Sequence, residues 1–390
     1  MKQRKIMILA ACLLLAMGTL ALFDLIPNKT KVVSSKSTTP TTRSSTTAPV
    51  ISPVKAQFPE KDLSIFPEFL SRAEVVSLLN LAISAGVQII STDANWSYLE
   101  PNLGQFKWQN LDELVSLVTA RGLQVKIQII GFPDWARDQG KPTESVEPWL
   151  LPESTPELLK WSQFVTTLTT RYSTKVSFYE IWNEPNIESF AQPFPDPAIY
   201  ARLLETSYMA IRSVNQSSQV MFAGLSRNDI GYLTSTYQYI NQEFPATASS
   251  DHHFFDILGV HPYCANRSPE VNSPQYDYQD SFGTMNENFL GMVEMHDVMA
   301  ANGEGSKLEY ISEFGYTTVA GQGFPTVSEQ TRALYLTQSF EVARQLKYVV
   351  ALSWYAYEPT PYVVPGWSIV SSNGSGWSTT PTFESLAAFH

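Results

Sequence analysis

Short apolar runs rich in β-branched and aromatic residues alternate along the chain with longer stretches whose apolar positions recur every three or four residues. Arg72–Ala85 shows the second pattern, with Val75, Val76, Leu79, Ala82 and Ile83 on one face and Gly86 placed to end a helix. The same spacing predicts helices over Leu111–Ala120, Pro156–Tyr172, Tyr200–Val214, Asn288–Ala301 and Ser328–Leu346, and a last one over Pro381–Phe389. The runs between them read as strands: Val87–Thr92, Gln124–Ile130, Val176–Trp182, Gln219–Ala223, Phe255–Val260, Lys307–Ile311 and Val349–Trp354. An eighth strand is expected around Leu63–Phe66, where the signal is weakest. Strand–helix alternation favours a parallel sheet, and eight units of this kind close into a (β/α)8 TIM barrel, an α/β fold. An open doubly wound sheet is the alternative, but no glycine-rich phosphate turn follows any of these strands.

The first 57 residues follow a different pattern. Lys2, Arg4 and Lys5 precede an apolar run from Ile6 to Phe23, broken only by Gly18 and Thr19. A basic start followed by such a run reads as an export signal, either cleaved after Gly18 or retained as a signal anchor over residues 1–26. Residues 27–57 form a linker: between Ser34 and Thr47, 11 of 14 residues are Ser or Thr, too polar to offset the entropy of ordering. One catalytic-size domain is then expected over 58–390, secreted or tethered to a membrane only through the N-terminal segment, and monomeric.

Charge sharpens this division. Residues 1–57 hold eight basic side chains and one acid, a net +7, so the whole-chain −11 leaves −18 on the body. So acidic a body is unsuited to nucleic-acid backbones, which need clustered Lys and Arg. It also disfavours a polyanionic ligand. Two isolated cysteines, Cys12 and Cys264, exclude a disulfide framework and a Cys-rich metal site. Aromatic residues make up 12% of the chain against 16% charged, a ratio that suits a site working by apolar contact.

In a parallel barrel the functional residues sit just after the strands, at their carboxyl ends. Those positions hold Asp93 and Trp96, Pro133 and Trp135, Asn183 and Glu184, Ser226 and Arg227, His261 and Tyr263, Glu313, and Trp354 with Glu358. No H-E-x-x-H motif exists, and the pair His252-His253 lies in a polar loop, so neither a metal nor any other cofactor is expected. No G-x-S-x-G elbow is present, and Cys264 reads as packing rather than as a nucleophile.

Paired carboxylates remain. Glu184 follows one strand and Glu313 another, and two carboxyl groups across a barrel mouth suit glycoside hydrolysis, one as acid/base and one as nucleophile. Counting by twos places Glu309, Ile311 and Glu313 on one face, and likewise Glu180, Trp182 and Glu184. An apolar wall of Trp182 and Trp354, with Glu313 nearby, would raise the pKa of Glu184. Hydrogen bonds from Tyr263 would keep Glu313 ionised. Aromatic rings would supply flat faces for the C–H sides of a sugar.

The words around these residues carry a resemblance. Glu180-Ile181-Trp182-Asn183-Glu184-Pro185-Asn186 and Tyr310-Ile311-Ser312-Glu313-Phe314-Gly315-Tyr316 resemble the two signatures of the clan A glycoside hydrolases, barrels whose catalytic glutamates end the fourth and seventh strands. Trp96-Ser97-Tyr98-Leu99-Glu100-Pro101, Phe132-Pro133-Asp134-Trp135-Ala136, His261-Pro262-Tyr263 and Ser353-Trp354-Tyr355 are similar to their second, third, sixth and eighth strand ends, closest in style to families 39 and 5. The resemblance implies a retaining β-glycosidase acting on a neutral carbohydrate, with Glu184 as acid/base and Glu313 as nucleophile. It further implies that Asn183 binds the sugar 2-hydroxyl, that His261 and Tyr263 line the reacting subsite, and that Trp354 forms its floor. Asp93, Trp96 and Trp135 complete the substrate-binding set. One position departs from the pattern: relatives carry an arginine two residues before an aspartate like Asp93, and here Ser91 stands there, leaving Arg227 or water as a substitute. A transglycosylase with the same residues, and a non-catalytic carbohydrate-binding barrel, are the alternative readings.

Overall fold

The sequence Gln-Val-Lys-Ile-Gln-Ile-Ile at residues 124–130 shows how the chain divides inside from outside. Successive side chains in a strand point to opposite faces, so Val125, Ile127 and Ile129 join the main apolar core under the helices, while Lys126 and Gln128 line the barrel interior. Repeated around the sheet, this division yields a closed barrel. In the computed structural model, which describes residues 59–138, 149–321, 323–361, 363–372 and 376–390, eight parallel strands close in sequence order. They are β1 (Glu60–Ser64), β2 (Ile89–Asn95), β3 (Gln124–Ile130), β4 (Phe178–Ile181), β5 (Gln219–Ser226), β6 (Ile257–His261), β7 (Leu308–Phe314) and β8 (Val349–Trp354). Strand β1 pairs with both β2 and β8, which seals the sheet. The signal or anchor at 1–26, the linker at 27–57 and most of the loop over 138–153 lie outside the described residues.

Among the described residues eight helices of two turns or more follow the strands: α1 (Arg72–Ser84), α2 (Gln109–Thr119), α3 (Thr155–Tyr172), α4 (Pro197–Val214), α5 (Ile230–Glu243), α6 (Gly291–Ala301), α7 (Glu329–Gln345) and α8 (Pro381–Ala388). Their starts are chemically marked. Ser71 with Glu74 and Ser154 with Glu157 form capping boxes, and Asp196, Asp229 and Thr380 accept from the first turns of α4, α5 and α8. Among the described residues no helix is long and apolar enough to cross a membrane.

Two elements depart from the sequence expectation. Strand β1 lies at Glu60–Ser64 rather than Leu63–Phe66, because its charged residues are not solvated but buried with partners. Lys61 Nζ donates to the carbonyls of Ala85, Leu386 and Phe389 at 2.8, 2.7 and 2.6 Å, joining the C-terminal ends of α1 and α8. Helix α5 has no clear sequence signal, because Ile230–Glu243 carries three Tyr and two Thr with a Gly and an Asn, residues of middling or poor helix propensity. It forms because Tyr232, Leu233, Tyr237 and Ile240 are buried on one face and Asp229 caps its start.

The barrel interior is layered. Ile89, Met221, Ile257, Tyr310, Val350 and Ala351 make a small apolar core of their own at the base. Above it lies a charged layer of Asp62, Lys126 and Glu180, all buried, and above that an open cleft of about 190 Å³ at the carboxyl ends of the strands.

Candidate active site

Strand β4 ends at Ile181, and the alternation fails just beyond it. Trp182 and Glu184 both have left-handed backbone, with φ of +74° and +38°, a conformation that non-glycine residues adopt at some cost and that clusters at functional sites. The reversal turns Trp182 out of the barrel, where it lies 5.8 Å from Trp161 of α3 and its Nε1 donates to the Phe190 carbonyl at 2.6 Å. Trp182 is therefore not the apolar wall beside Glu184 that parity implied. Glu184 turns inward and is tied to β5 through its N–H, 3.2 Å from the Gly224 carbonyl. Asn186, the last residue of the N-E-P-N word, pairs its amide with the backbone of Ser226 in both directions, at 3.0 and 3.1 Å. That explains why a sharp turn is stable there.

Strand β7 delivers its glutamate differently. Its inward residues are Tyr310, which donates to Asp62 at 2.9 Å, and Ser312, which donates to Glu180 at 2.7 Å. Ile311 belongs to the outer core and Glu309 is buried near Asp297 of α6. Simple alternation would then send Glu313 outward. Between the pairs Leu352↔Ile311 and Trp354↔Phe314, however, two steps along β8 match three along β7. This bulge aims Glu313 into the mouth. Glu313 thus lines the cleft, but Glu309, Ile311 and Glu313 do not share a face as the count by twos implied.

Both carboxylates meet at His261. Its Nδ1 lies 3.0 Å from Glu184 Oε1 and 4.0 Å from Glu313 Oε2, so the two oxygens can be no farther apart than the sum of these distances. Tyr263 donates its hydroxyl to Glu313 Oε1 at 2.6 Å. Burial works against charge on His261, but Glu313 and Glu184 outweigh it and raise the imidazole pKa above 6.5. For Glu313 burial raises the pKa, His261 lowers it, Glu184 raises it, and the Tyr263 bond lowers it; the balance is upward. The imidazole fits only because residue 224 is glycine, since a Cβ there would lie 2.2 Å from the His261 ring.

The charged layer supports this pair from below. Glu180 accepts from Lys126 Nζ at 2.6 Å, from Ser312 Oγ at 2.7 Å and from Gly224 N at 3.0 Å. Although burial opposes ionisation, Lys126 and His261 lower the pKa of Glu180 on balance. The network also accounts for Ser91. This serine donates to Asp62 and is the register partner of Lys126, so the buried cation stands one strand over at the same level. Arg227 does not substitute: it lies 3.4 Å from Glu287.

The remaining site residues divide. Asp93 and Asn183 line the cleft, and Asn183 accepts from Gln128 at 3.3 Å. Burial, with Glu68 nearby, pushes the Asp93 carboxyl up to about 7. Trp96, Trp135 and Trp354 are not among the cleft residues. Trp96 is 1% exposed, stacked on Phe164 at 4.9 Å, and edge-on to Trp135 at 5.5 Å. Both indoles donate to Glu100, Trp96 to its carboxylate at 2.7 Å and Trp135 to its carbonyl at 2.8 Å. They form the packing belt between β2, β3 and α3. Trp354 is an outward residue of β8, buried edge-on to Phe314 at 5.7 Å; the cleft is lined instead by its neighbours Ser353 and Tyr355. Trp149 and Phe190, edge-to-face at 5.2 Å, complete an apolar wall that the sequence did not mark. Of these, Tyr355 and Lys126 were recoverable by alternation from Ala351 and Gln128.

His252 and His253 lie before β6, at the opposite end of the barrel. His253 is 2.9 Å from Glu304, which also accepts from Lys307 and Tyr237, both at 2.7 Å. This is a structural network under the barrel. Cys264 is buried, with burial pushing its thiol up to about 12, as packing residues show.

A closed (β/α)8 barrel is the architecture that comparison with solved structures returns. The chain is similar to a family 39 glycoside hydrolase from Bacteroides cellulosilyticus WH2, with 20% identity and a TM-score of 0.64 over 86% of this chain, spanning 64% of that one. It is also similar to GH5_18 from Streptomyces cattleya in complex with Manb1-4GlcNAc, at 14% identity and TM-score 0.59, over 84% of this chain and 79% of that one. A third likeness is to xylanase B from Clostridium stercorarium F9, at 12% identity and TM-score 0.57, over 85% of this chain and 97% of that one. The fold is thus the one used by glycoside hydrolases of this clan. Neither protein-family models nor curated proteins match the sequence.

Proposed function

We propose that the protein is a retaining glycoside hydrolase that cleaves β-linked neutral sugars through a glycosyl-enzyme. The observation that carries this reading is the His261 imidazole in reach of both Glu184 and Glu313. It limits the separation of the facing carboxylate oxygens to about 7 Å, where retention uses ~5–5.5 Å and inversion ~6.5–9.5 Å. In the first step a Glu313 oxygen bonds to the anomeric carbon as the glycosidic C–O bond breaks, and Glu184 gives its proton to the departing oxygen. His261 and the Tyr263 hydroxyl favour the ionised form of Glu313 against the burial that raises its pKa, and the Tyr263 bond orients it for attack. Esterification removes the Glu313 charge. Glu184, now a carboxylate, takes a proton from water as that water attacks the anomeric carbon, and Glu313 leaves as a carboxylate.

Asn183 and Asp93 are assigned to sugar hydroxyls, and Tyr355, Trp149 and Phe190 to the apolar faces of the rings. Among the described residues lining the cleft, carboxylates outnumber the one cation, Lys126, which Glu180 already occupies; this disfavours anionic sugars. The basic and apolar N-terminal segment is assigned to export or tethering, which places the enzyme outside the cytoplasm. The test is a screen of aryl β-glycosides and neutral plant, fungal and bacterial polysaccharides, with the anomer of the first product read by NMR. Release of the inverted anomer, or turnover by Glu313→Ala equal to wild type, would overturn the assignment.

A further inference from the structure

The loop after β8 returns across the barrel mouth with its indole Trp367 buried, and nothing in the proposed chemistry uses it. Trp367 is 6% exposed. It lies edge-on to Tyr263 with ring centroids 5.8 Å apart, and against Tyr355 at 5.6 Å, with Phe324 closing the other side at 5.5 Å. The loop is held by an unusually placed cation. Arg332 of α7 is 2% exposed and donates to the carbonyls of Gly366 at 2.7 Å, Trp367 at 3.2 Å and Ser368 at 3.3 Å. Its own position is set by Thr382 at 3.0 Å and by Glu329 at 2.6 Å. Gly366 permits the approach: its φ is +94°, and a Cβ there would lie 2.7 Å from Thr317 Oγ1 and from Val319 N. Thr318 N in turn donates to the Gly366 carbonyl at 3.1 Å, stitching the loop to the chain just after Glu313.

We propose that Trp367, held by Arg332, is a positioning residue: it braces the Tyr263 ring so that its hydroxyl stays on Glu313. The inference rests on the reading of Glu313 as nucleophile and extends it to a residue that touches no substrate. A tyrosine pivots about its Cα–Cβ and Cβ–Cγ bonds, so a hydroxyl bond of 2.6 Å is kept only if packing fixes the ring. Phe314 packs on Tyr263 at 6.1 Å and His261 lies edge-on at 6.5 Å, which leaves the Trp367 side as the flank supplied by a loop rather than by the barrel. Release of that flank would loosen the donor that stabilises the ionised carboxylate.

The measurement is the pH profile of kcat/KM, whose midpoints do not depend on the amount of folded enzyme. The groups facing Glu313 are His261, Tyr263, Glu184, Glu180, Asp93 and Tyr355, and none is altered by substituting Trp367. Loss of one hydrogen bond to the charged form raises its pKa, so in Trp367→Leu the acid limb moves to higher pH by about one unit. At the optimum kcat falls roughly tenfold while KM stays within about twofold. Trp367→Phe, which keeps an aromatic edge, restores the wild-type limb. Tyr263→Phe shifts the limb as far as Trp367→Leu, and the double variant shifts it no further. Arg332→Lys, which reaches fewer carbonyls, gives a smaller shift in the same direction and serves if Trp367→Leu does not fold. A Tyr263→Phe shift with no shift in Trp367→Leu or Arg332→Lys overturns the brace alone, as does a double variant that shifts further than Tyr263→Phe. An unmoved limb in Tyr263→Phe itself overturns the reading of Glu313 and the brace with it.

Discussion

Glu180 and Glu184 lie four residues apart, yet one belongs to the floor of the cleft and the other to its mouth. In the floor, Glu180 is fully buried and has three donors from three strands, Lys126, Gly224 and Ser312. At the mouth, Glu184 and Glu313 face His261 between them, and Glu313 has in addition the Tyr263 hydroxyl. A buried charge whose partners are complete is held in one state and serves structure. Glu184 and Glu313 share one imidazole and line the open cleft, where an entering group can reach them. The difference separates scaffold from chemistry more clearly than residue type does, since both levels use glutamate.

The sharpest way to break the comparison is to neutralise each level in turn. Glu313→Gln and Glu184→Gln are expected to lower kcat/KM on a natural-type glycoside by at least about 10³-fold with little change in melting temperature. Glu180→Gln should instead show up in stability. Lys126→Met leaves Glu180 charged and unpaired, at a cost of about 3–5 kcal/mol in urea unfolding; adding Glu180→Gln recovers most of it. If Lys126→Met were as stable as wild type, the floor would not be a charged scaffold.

A smaller effect tests the coupling between levels. Gly224→Ala must push the His261 ring, so activity should fall between about tenfold and a hundredfold while the fold persists. NMR titration of His261 should give a pKa above 6.5 that drops in Glu313→Gln, because Glu313 is the main group raising it. A raised histidine pKa adds stability that is complete below about pH 6.5 and disappears as pH climbs through the folded-state value. The least change is expected from the packing belt. Trp135→Phe should leave KM within about twofold and cost about 1–2 kcal/mol, whereas a tenfold rise in KM would return that ring to the cleft.

Much of this was legible in the sequence, though unevenly. The barrel was readable because seven strands are continuous apolar runs separated by amphipathic helices; β1 was not, because Lys61 and Asp62 take partners 325 and 248 residues away along the chain. The local words around Glu184 and Glu313 marked both glutamates, and His261 and Tyr263 were marked by their place at the carboxyl end of β6. The aromatics were misplaced for one reason: a tryptophan at a strand end reads the same whether it faces sugar or helix. Backbone at Trp182 and the register of Trp354 decide that, and neither is a property of residue type.

Residue order alone therefore determined the class of fold, the acidic body behind a basic N-terminal segment, and which carboxylates stand at the ends of strands, because periodicity and strand-end position are local. Only the tertiary structure decided which side chains enter the cleft, that Lys126 stands where Ser91 cannot, and that one imidazole meets both glutamates. Those outcomes depend on left-handed residues, a bulge and contacts between strands far apart in the chain, which no local pattern encodes.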